Sequence, residues 1–271
     1  MKLSNIFGIL TDLRFAIIAS AKPTIKAIRD SPSLLFHLQE LSKIIFYNVW
    51  IVYGREADEN RQPMKESLIT ANSKGTVLDL GAGFGATVRY LSKDKVTRYV
   101  AIEPNVMMHK HIKDTAEKAG FSEVDGSLVV LSCGAEDYKV IGSALGGLGT
   151  VDTIVSVLTL CSVPNPEQTI KDLVVKLLKP GGEFLFYEHV QSKKKDVSFW
   201  QWFWTPIWKT CFDGCALNRP SDEYVRNLPY WEPIPESGRD SEGKQVGVWG
   251  NPGEEEEHLW WHQIGRFIKS S

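Results

Sequence analysis

Acidic and histidine side chains recur where the apolar, strand-like runs of this chain begin or end. The residues in question are Asp79, Glu103, Glu136, Glu188, His189 and His262. A carboxylate can hold a cationic amino group or accept hydrogen bonds from sugar hydroxyls, and a histidine can take a proton near neutral pH. These residue types predict a site for a polar small ligand, with proton-transfer chemistry beside it.

A glycine-rich turn follows the first of these runs, in "TVLDLGAGFGATVRY" at residues 76–90. Glycines at 81, 83 and 85 let the backbone bend tightly and approach a ligand, and the helix that follows offers its first amides to polar groups. The spacing Gly81-x-Gly83-x-x-Ala86 also satisfies the dinucleotide fingerprint, with Glu103 about 20 residues further on. The turn alone therefore fits two classes of nucleotide cofactor.

Four features favour S-adenosylmethionine over a dinucleotide. Asp79 at the end of the first strand can face the amino group of a methionine moiety, whereas it would repel a pyrophosphate. Glu103 can accept from both ribose hydroxyls, and Glu136 or Asp137 from an adenine amino group. A Pro-Gly-Gly turn precedes the fifth strand in "LLKPGGEFLFYE". Two alternatives stay open: Asp79 could cap the following turn, and Glu136 could be an acid favoured by a helix N-terminus.

The elements that position these residues alternate from Gly75 onward between apolar strands and helices, which predicts an α/β fold with a mainly parallel sheet covered on both faces. Residues 1–70 have helical spacing and form a predicted helical lid. Asp12 and Arg14 interrupt its apolar start, so we expect an amphipathic helix and no stable membrane insertion. Residues 197–212 hold many tryptophans and form a predicted helical aromatic insertion after strand five.

Taken together, residues 75–190 resemble the class I S-adenosylmethionine-dependent methyltransferases. The resemblance implies a Rossmann-like, seven-stranded mixed sheet in the order 3-2-1-4-5-7-6, with strand seven antiparallel. It implies a lid over residues 1–70 and a cofactor-binding methyltransferase domain over residues 71–271. The cofactor-binding candidates are Asp79, Gly81, Ala82, Gly83, Glu103, Pro104, Ala135, Glu136, Val157 and Leu158.

Later segments are similar to a narrower group, the alkyl thiol methyltransferases and the fungal gliotoxin thiomethyltransferases. The similarity lies in "SVLTLCSVPNPEQTI", "GGEFLFYEHV", "FWQWFWTPIWKTCFDGCALNR" and "HQIGRFIK". It implies S-methylation of a thiol or dithiol on a hydrophobic small molecule such as a reduced gliotoxin-like dithiol, in secondary metabolism or detoxification. The chain departs from the mammalian enzymes at its N-terminus, and at residues 228–258, which are longer and more acidic.

Methyl transfer to a thiol requires no more than a mild base. A free thiol has a pKa near 8.5, so an appreciable fraction is already thiolate at neutral pH. Glu188 and His189 end strand five at the edge where parallel sheets bind ligands, and an antiparallel strand seven would bring His262 to the same edge. We therefore predict Glu188, His189 and His262 as the catalytic residues; the alternative is that they are structural polar groups at strand ends.

Aromatic residues of the lid and of the aromatic insertion are the substrate-binding candidates. They are Phe46, Tyr47, Trp50, Tyr53, Trp204 and Trp208. As a set they can wall an apolar acceptor site, and aromatic faces attract a sulfonium cation. The alternative for each is ordinary packing of the lid on the domain.

The composition and charge of the chain limit the kinds of partner and compartment that we expect. Hydrophobic residues make up 43% and charged residues 24% of 271 residues, with a net charge of -2, so a large core and no nucleic-acid partner are expected. The four cysteines have neither zinc-motif nor secreted-disulfide spacing, so no metal site is predicted and Cys161 is interpreted as a small wall residue. We expect a cytoplasmic monomer or weak dimer.

Three alternatives to a thiol S-methyltransferase remain at this stage. A quinone- or phenol-directed C- or O-methyltransferase would need a firmer base or a metal. A non-catalytic regulator that binds S-adenosylmethionine would use the lid as a partner surface. A dinucleotide oxidoreductase is disfavoured by Asp79 and by the Pro-Gly-Gly turn.

Residues 232–258 are rich in Pro, Gly and Glu, which predicts a mobile loop.

Overall fold

One mixed sheet organises the protein in a computed structural model, which describes residues 3–271. Within that range the strands are β1 (Gly75–Leu80), β2 (Val96–Ile102), β3 (Leu128–Leu131), β4 (Val151–Val157), β5 (Leu178–His189), β6 (Gly247–Gly250) and β7 (His262–Ile268). Their order is β3-β2-β1-β4-β5-β7-β6, in which β1 to β5 run parallel and β7 runs antiparallel to both of its neighbours. The predicted sheet order is confirmed.

Helices cover both faces of the sheet, and further helices precede β1 in the chain. In the described chain they are α1 (Leu3–Asp30), α2 (Leu38–Glu59), α3 (Gln62–Lys65), α4 (His109–Lys118), α5 (Tyr138–Ala144), α6 (Pro166–Asp172), α7 (Lys195–Cys211) and α8 (Ser221–Arg226). The aromatic insertion is helical, as predicted, and forms α7. The helix expected after the glycine turn is shorter than predicted, a 3₁₀ segment at Ala86–Tyr90, because Leu91 already has extended backbone.

The apolar strands are buried on both faces, because side chains alternate sides along a strand. Leu78 and Phe186 pack into a cluster with α5, α6 and α8, while their neighbours Val77 and Leu185 pack into a second cluster with α4. All four side chains are fully buried. This double burial explains why the strands read as nearly continuous apolar runs.

The N-terminal helices are joined to the sheet by a buried ionic cluster around Asp58. Its carboxylate accepts from the Lys65 ammonium at 2.6 Å and from Tyr90 Oη and an Arg89 nitrogen, each at 3.1 Å. Asp58 and Lys65 are buried, so each charge has a close partner where water is excluded. The end of α2 is thereby fixed beside the 3₁₀ segment that follows the glycine turn.

Helices α1 and α2 pack on each other and both touch α7. The division into a lid (residues 1–70) and a domain (residues 71–271) stays a prediction, and residues 1 and 2 of that lid lie outside the described residues. No helix in residues 3–271 has both the length and the apolarity needed to cross a membrane.

The acidic segment after α8 carries a strand that the sequence did not assign. Residues 247–250 pair with β7 and form β6, a run of only four residues. The segment is also tied to the sheet by Asp240, whose carboxylate lies 2.6 Å from the Arg266 guanidinium, and by Glu256, which accepts from Ser192 Oγ at 2.7 Å. The mobility expected of residues 232–258 stays a prediction.

Candidate active site

A cavity of about 550 Å³ opens at the carboxyl ends of the parallel strands. Its walls come from the turns after β1 to β4, the end of β5, the start of β7, and helices α1, α2 and α7. Most of the predicted site residues line it: Phe46, Trp50, Tyr53, Gly81, Gly83, Glu103, Pro104, Ala135, Glu136, Val157, Leu158, His189, Trp208 and His262. The topological edge at which α/β sheets bind ligands is therefore the edge that holds this cavity.

The glycine turn has a backbone and a packing that only glycine allows at Gly81 and Gly83. Gly81 and Gly83 have φ angles of +59° and +56°, in the left-handed region that favours glycine. A Cβ added to Gly81 would lie 2.6 Å from the side chain of Thr159, and one added to Gly83 would lie 3.2 Å from Trp50 Nε1. The turn thus combines a tight bend with close packing against Thr159 and Trp50, and both glycines line the cavity.

Glu103 directly follows β2 and holds the glycine turn through a hydrogen bond. One carboxylate oxygen accepts from the Gly83 N–H at 2.9 Å, and the other accepts from the Asn105 N–H at 2.8 Å. Burial raises the pKa of Glu103 to about 7, although both backbone hydrogen bonds oppose the rise. Each oxygen retains capacity for a second hydrogen bond, so Glu103 can still accept from ligand hydroxyls. Asn105 caps the following segment by accepting from the Met107 N–H.

Asp79 lies behind the glycine turn and outside the cavity lining, which corrects the expectation that its carboxylate faces a ligand. It is buried, and it accepts from Thr87 Oγ1 at 3.0 Å and Tyr99 Oη at 2.7 Å. Burial raises the pKa of Asp79 to about 6. Both oxygens are used to hold the 3₁₀ segment against β2, which agrees better with the capping alternative. Ala82 is also outside the lining and donates its N–H to Ile102 O.

The third and fourth turns supply the far wall. Ala135 is buried, whereas Glu136 is exposed and folds over Gly134, where a Cβ would collide with its carboxylate. Leu158 has a φ of +55°, which is strained for a non-glycine residue and is typical of functional turns. Its N–H donates to Tyr187 O at 2.9 Å, so the strained turn is anchored to β5.

Glu188 is not brought to the cavity, contrary to the expectation that it is catalytic. It is fully buried, and one carboxylate oxygen accepts from Ser156 Oγ at 2.7 Å and from the N–H groups of Thr159 and Leu160 at 2.9 and 3.1 Å. Burial raises the pKa of Glu188. Its position on the inner side of β5 makes it a support for the turn after β4.

His189 and His262 do meet, as predicted, because β5 and β7 pair them directly across the strands. Their ring centroids lie 6.5 Å apart, and both rings line the cavity. His262 Nδ1 lies 3.0 Å from the Glu254 carboxylate, and the ring stacks on Tyr187. Burial lowers the pKa of His262 to about 4, whereas His258 and His262 hold the pKa of Glu254 far below its ordinary value.

The tautomer of His262 follows from this pairing. An ionised carboxylate can only accept, so Nδ1 of a neutral His262 must carry the proton that Glu254 accepts. The other ring nitrogen, Nε2, is then an acceptor. Glu254 was missed by sequence reasoning because it lies in an acidic run that resembled a solvated loop.

Two cysteines, Cys161 and Cys215, lie on the same cavity wall as His189. His189 Nε2 lies 3.2 Å from Cys215 Sγ, which also accepts from Trp208 Nε1 at 3.3 Å. Cys161 lines the same wall, as expected of a wall residue. No sequence signal pointed to Cys215, because it follows α7 and has no strand or motif beside it.

The aromatic candidates divide between the cavity and the core. Phe46, Trp50 and Tyr53 of α2 and Trp208 of α7 line the cavity. Tyr47 does not, since it packs against Phe84 with its hydroxyl 3.3 Å from His111 Nε2. Trp204 packs in a buried cluster with Ile9 and Leu217. The core-packing alternative therefore holds for Tyr47 and Trp204. Sequence reasoning missed Asp12, Phe15 and Trp260, which also line the cavity.

Comparison with known proteins decides the family. The sequence profile of the methyltransferase domain matches residues 53–233, which span the glycine turn, the sheet up to β5 and the aromatic insertion. The chain belongs to the methyltransferase domain family. S-adenosylmethionine is the cofactor of this methyltransferase. The cavity fits that group on two observations: the left-handed glycine turn in its wall, and the buried carboxylate of Glu103 beside that turn.

Relatives of this methyltransferase include two human proteins. Thiol S-methyltransferase TMT1A of Homo sapiens is 34% identical over 179 residues, which are 63% of this chain and 67% of that protein. Thiol S-methyltransferase TMT1B of Homo sapiens is 28% identical over 208 residues, which are 74% of this chain and 81% of that protein. Among solved structures, an O-methyltransferase family protein from Burkholderia thailandensis superposes with a TM-score of 0.56 at 13% identity, over 92% of this chain and 71% of that one, which shows the shared fold.

Proposed function

We propose that this methyltransferase transfers a methyl group to the sulfur of a thiol or dithiol on an apolar small molecule. The observation that carries the proposal is that one cavity joins the glycine turn to a wall of histidine, cysteine and aromatic side chains. Both human relatives described above are named thiol S-methyltransferases. When bound, S-adenosylmethionine supplies an electrophilic methyl group on a sulfonium sulfur.

The donor half of the proposed site is formed by the turns after β1, β2 and β3. The peptide groups of Gly81 and Gly83 approach the cofactor closely, since neither carries a Cβ. Glu103 accepts from the ribose hydroxyls with the lone pairs that its two backbone bonds leave over. Glu136 accepts from the adenine amino group. The neighbouring apolar walls are Pro104, Ala135, Val157 and Leu158.

The acceptor half centres on His262. Because its Nδ1–H is held by Glu254, its Nε2 can accept a hydrogen bond from the acceptor's S–H group. The lowered pKa of His262, about 4, keeps the ring neutral throughout the physiological range, so this acceptor nitrogen is always available. With so low a pKa the ring does not remove the proton of a thiol whose own pKa is near 8.5, so Nε2 orients the acceptor, and the thiolate fraction present at neutral pH is the nucleophile. Positioning within the cavity then provides much of the acceleration.

The aromatic walls select the acceptor. Phe46, Trp50, Tyr53 and Trp208 surround the cavity with flat apolar surfaces. A cavity of about 550 Å³ lies within the range of small-molecule sites, about 300–1,000 Å³. A ring-bearing dithiol, such as a reduced gliotoxin-like compound of secondary metabolism or detoxification, is the acceptor we propose.

The proposal includes a reducing, cytoplasmic setting and a monomer or weak dimer. All four cysteines are free, and Cys133 and Cys161 are buried. Free thiols that face a thiol-binding cavity suit a compartment that keeps them reduced. Light scattering of the purified protein checks the oligomeric state.

The direct test incubates the protein with S-adenosylmethionine and a panel of thiols, phenols and quinols, and follows the added methyl by mass spectrometry. We expect methylated thiols, and a large loss of turnover in His262→Asn but not in His37→Asn, whose histidine is exposed just before α2 and outside the cavity lining. Methylation of phenols but not thiols would overturn the proposal. Cofactor binding without transfer to any acceptor would instead support a regulator.

A further inference from the structure

Three potential metal ligands meet at one wall of the cavity. Cys161 lies in the turn after β4, His189 ends β5, and Cys215 follows α7. Their ligand atoms all lie within 4.8 Å of one another, and all three residues line the cavity. Cys161 and His189 are buried and Cys215 is half-buried, so this is an enclosed cluster and not a chance surface grouping.

We propose that Cys161, His189 and Cys215 bind a soft divalent cation, zinc in the first place, and leave its fourth coordination position open to the cavity. Three protein ligands and one open position are the arrangement of catalytic zinc sites. Zn–S bonds of about 2.3 Å and Zn–N bonds of about 2.0–2.1 Å place tetrahedral ligand atoms roughly 3.5–4 Å apart. The separations, which are at most 4.8 Å, need to contract by no more than about 1.3 Å to meet that geometry, and the 3.2 Å between His189 Nε2 and Cys215 Sγ needs to widen slightly.

The surroundings of the cluster suit a metal-bound thiolate pair. Trp208 Nε1 donates to Cys215 Sγ at 3.3 Å, a hydrogen bond that stabilises negative charge on sulfur. Two thiolates and a neutral imidazole together balance a dication, so the occupied site adds no net charge to a buried wall.

The ring of His189 presents one definite nitrogen to the cluster. Its side chain is only 4% exposed, and Nε2 is the nitrogen that lies 3.2 Å from Cys215 Sγ. Nδ1 has no hydrogen-bond partner among the described residues. A metal ion in the cluster would therefore bind Nε2, and the ring proton would then lie on Nδ1.

The site gives the acceptor sulfur a defined place, an inference that rests on the proposed function. An acceptor thiol that occupies the open position forms a metal–sulfur bond and loses its S–H bond, since thiols bound to such cations are deprotonated. The released proton passes to solvent, and Nε2 of His262, whose ring lies 6.5 Å from that of His189, can relay it. The chain thereby obtains a thiolate without a strong side-chain base.

Cobalt(II) titration of the full, reduced, chelator-treated protein tests the site. We expect thiolate-to-cobalt charge-transfer absorption, d–d bands of tetrahedral intensity, and one ion bound per chain. Cys161→Ser, Cys215→Ser and His189→Ala should each weaken zinc binding by more than about 100-fold, beyond the loss typical of outer-shell partners. Cys133→Ser and Cys211→Ser are matched controls, because these cysteines lie outside the cavity lining and should leave the spectrum unchanged.

Titrating each variant with S-adenosylmethionine shows whether it retains its folded donor site. No thiolate band, or a band that persists in both Cys161→Ser and Cys215→Ser, would overturn the metal site. Thiol methylation at full rate by the metal-free protein would overturn the role in acceptor binding while leaving the proposed function intact. A zinc-loaded protein that methylates no thiol would overturn the proposed function and leave the metal site standing.

Discussion

Replacing Glu103 with Gln removes a buried carboxyl group whose ionisation the fold opposes. Burial raises the pKa of Glu103 from 4.5 to about 7. Between these pH values the group is protonated in the folded protein and ionised in the unfolded chain, so folding takes up a proton. The stabilisation from this group is therefore fully present below about pH 4.5 and is lost as the pH rises through about 7.

The size of the effect follows from the two pKa values. Each tenfold difference in proton affinity corresponds to about 1.4 kcal/mol, so the wild type should lose about 2–3 kcal/mol of unfolding free energy through Glu103 between pH 5 and pH 8. In Glu103→Gln this loss is absent. Gln also leaves one of the N–H groups of Gly83 and Asn105 without its acceptor, at about 1–3 kcal/mol, but that cost is equal at both pH values and cancels.

Urea unfolding at pH 5 and pH 8, without cofactor, measures the difference. The control is Glu236→Gln, which changes an exposed carboxyl group in the segment after α8. Asp79, whose pKa is also raised, contributes equally to all three proteins. We expect wild type and Glu236→Gln to lose about 2–3 kcal/mol more than Glu103→Gln between the two pH values. An identical pH dependence in all three would refute the reasoning.

Two further substitutions test the turn and the histidine. Gly81→Ala should destabilise the protein by more than the roughly 1–2 kcal/mol that a left-handed φ costs a non-glycine residue, because its Cβ would also lie 2.6 Å from Thr159. The control is Gly126→Ala, which has a φ of +74° and nothing within 4 Å, so it measures the cost of the backbone conformation alone. Equal losses in thermal unfolding would contradict the steric argument. Glu254→Ala should lower kcat about tenfold or more, since His262 loses the partner that fixes its tautomer. Steady-state kinetics would disprove this if only the KM for the cofactor rose.

The sheet order could be predicted because its signals are local. Each parallel strand is an apolar run followed by a turn with its own marker, such as the glycines after β1 or Glu103 after β2. Strand β6 could not be predicted, because its four residues form a strand only by pairing with β7. Its strand conformation therefore depends on pairing with β7 more than on its own sequence.

The direction in which a strand-end side chain points was harder to predict. Asp79 marks the end of β1, but whether it faces the cavity or the core depends on Tyr99 in the neighbouring strand and on Thr87 beyond the turn, which compete for its oxygens. Glu188 is similar, because the backbone N–H groups of the turn after β4 donate to one of its carboxylate oxygens. Short-range spacing carries no information about such partners.

The cluster of Cys161, His189 and Cys215 lies at the limit of what sequence can reveal. Motif rules for metal sites depend on ligands a few residues apart, whereas these three are separated by a complete crossover and by the aromatic insertion. They meet because β4 and β5 are adjacent and because the chain returns to the sheet after α7. Only the tertiary arrangement brings them together.

The position of β7 has a consequence for folding during synthesis. It is the last strand of the described chain, yet it lies between β5 and β6 and carries His262. A nascent chain that has emerged only as far as β6 contains every donor residue but lacks the acceptor histidine, and it leaves β5 unpaired from Glu183 to His189. Such an open edge can recruit strands from other chains. The step that completes the acceptor site during synthesis is therefore the same step that closes this open edge.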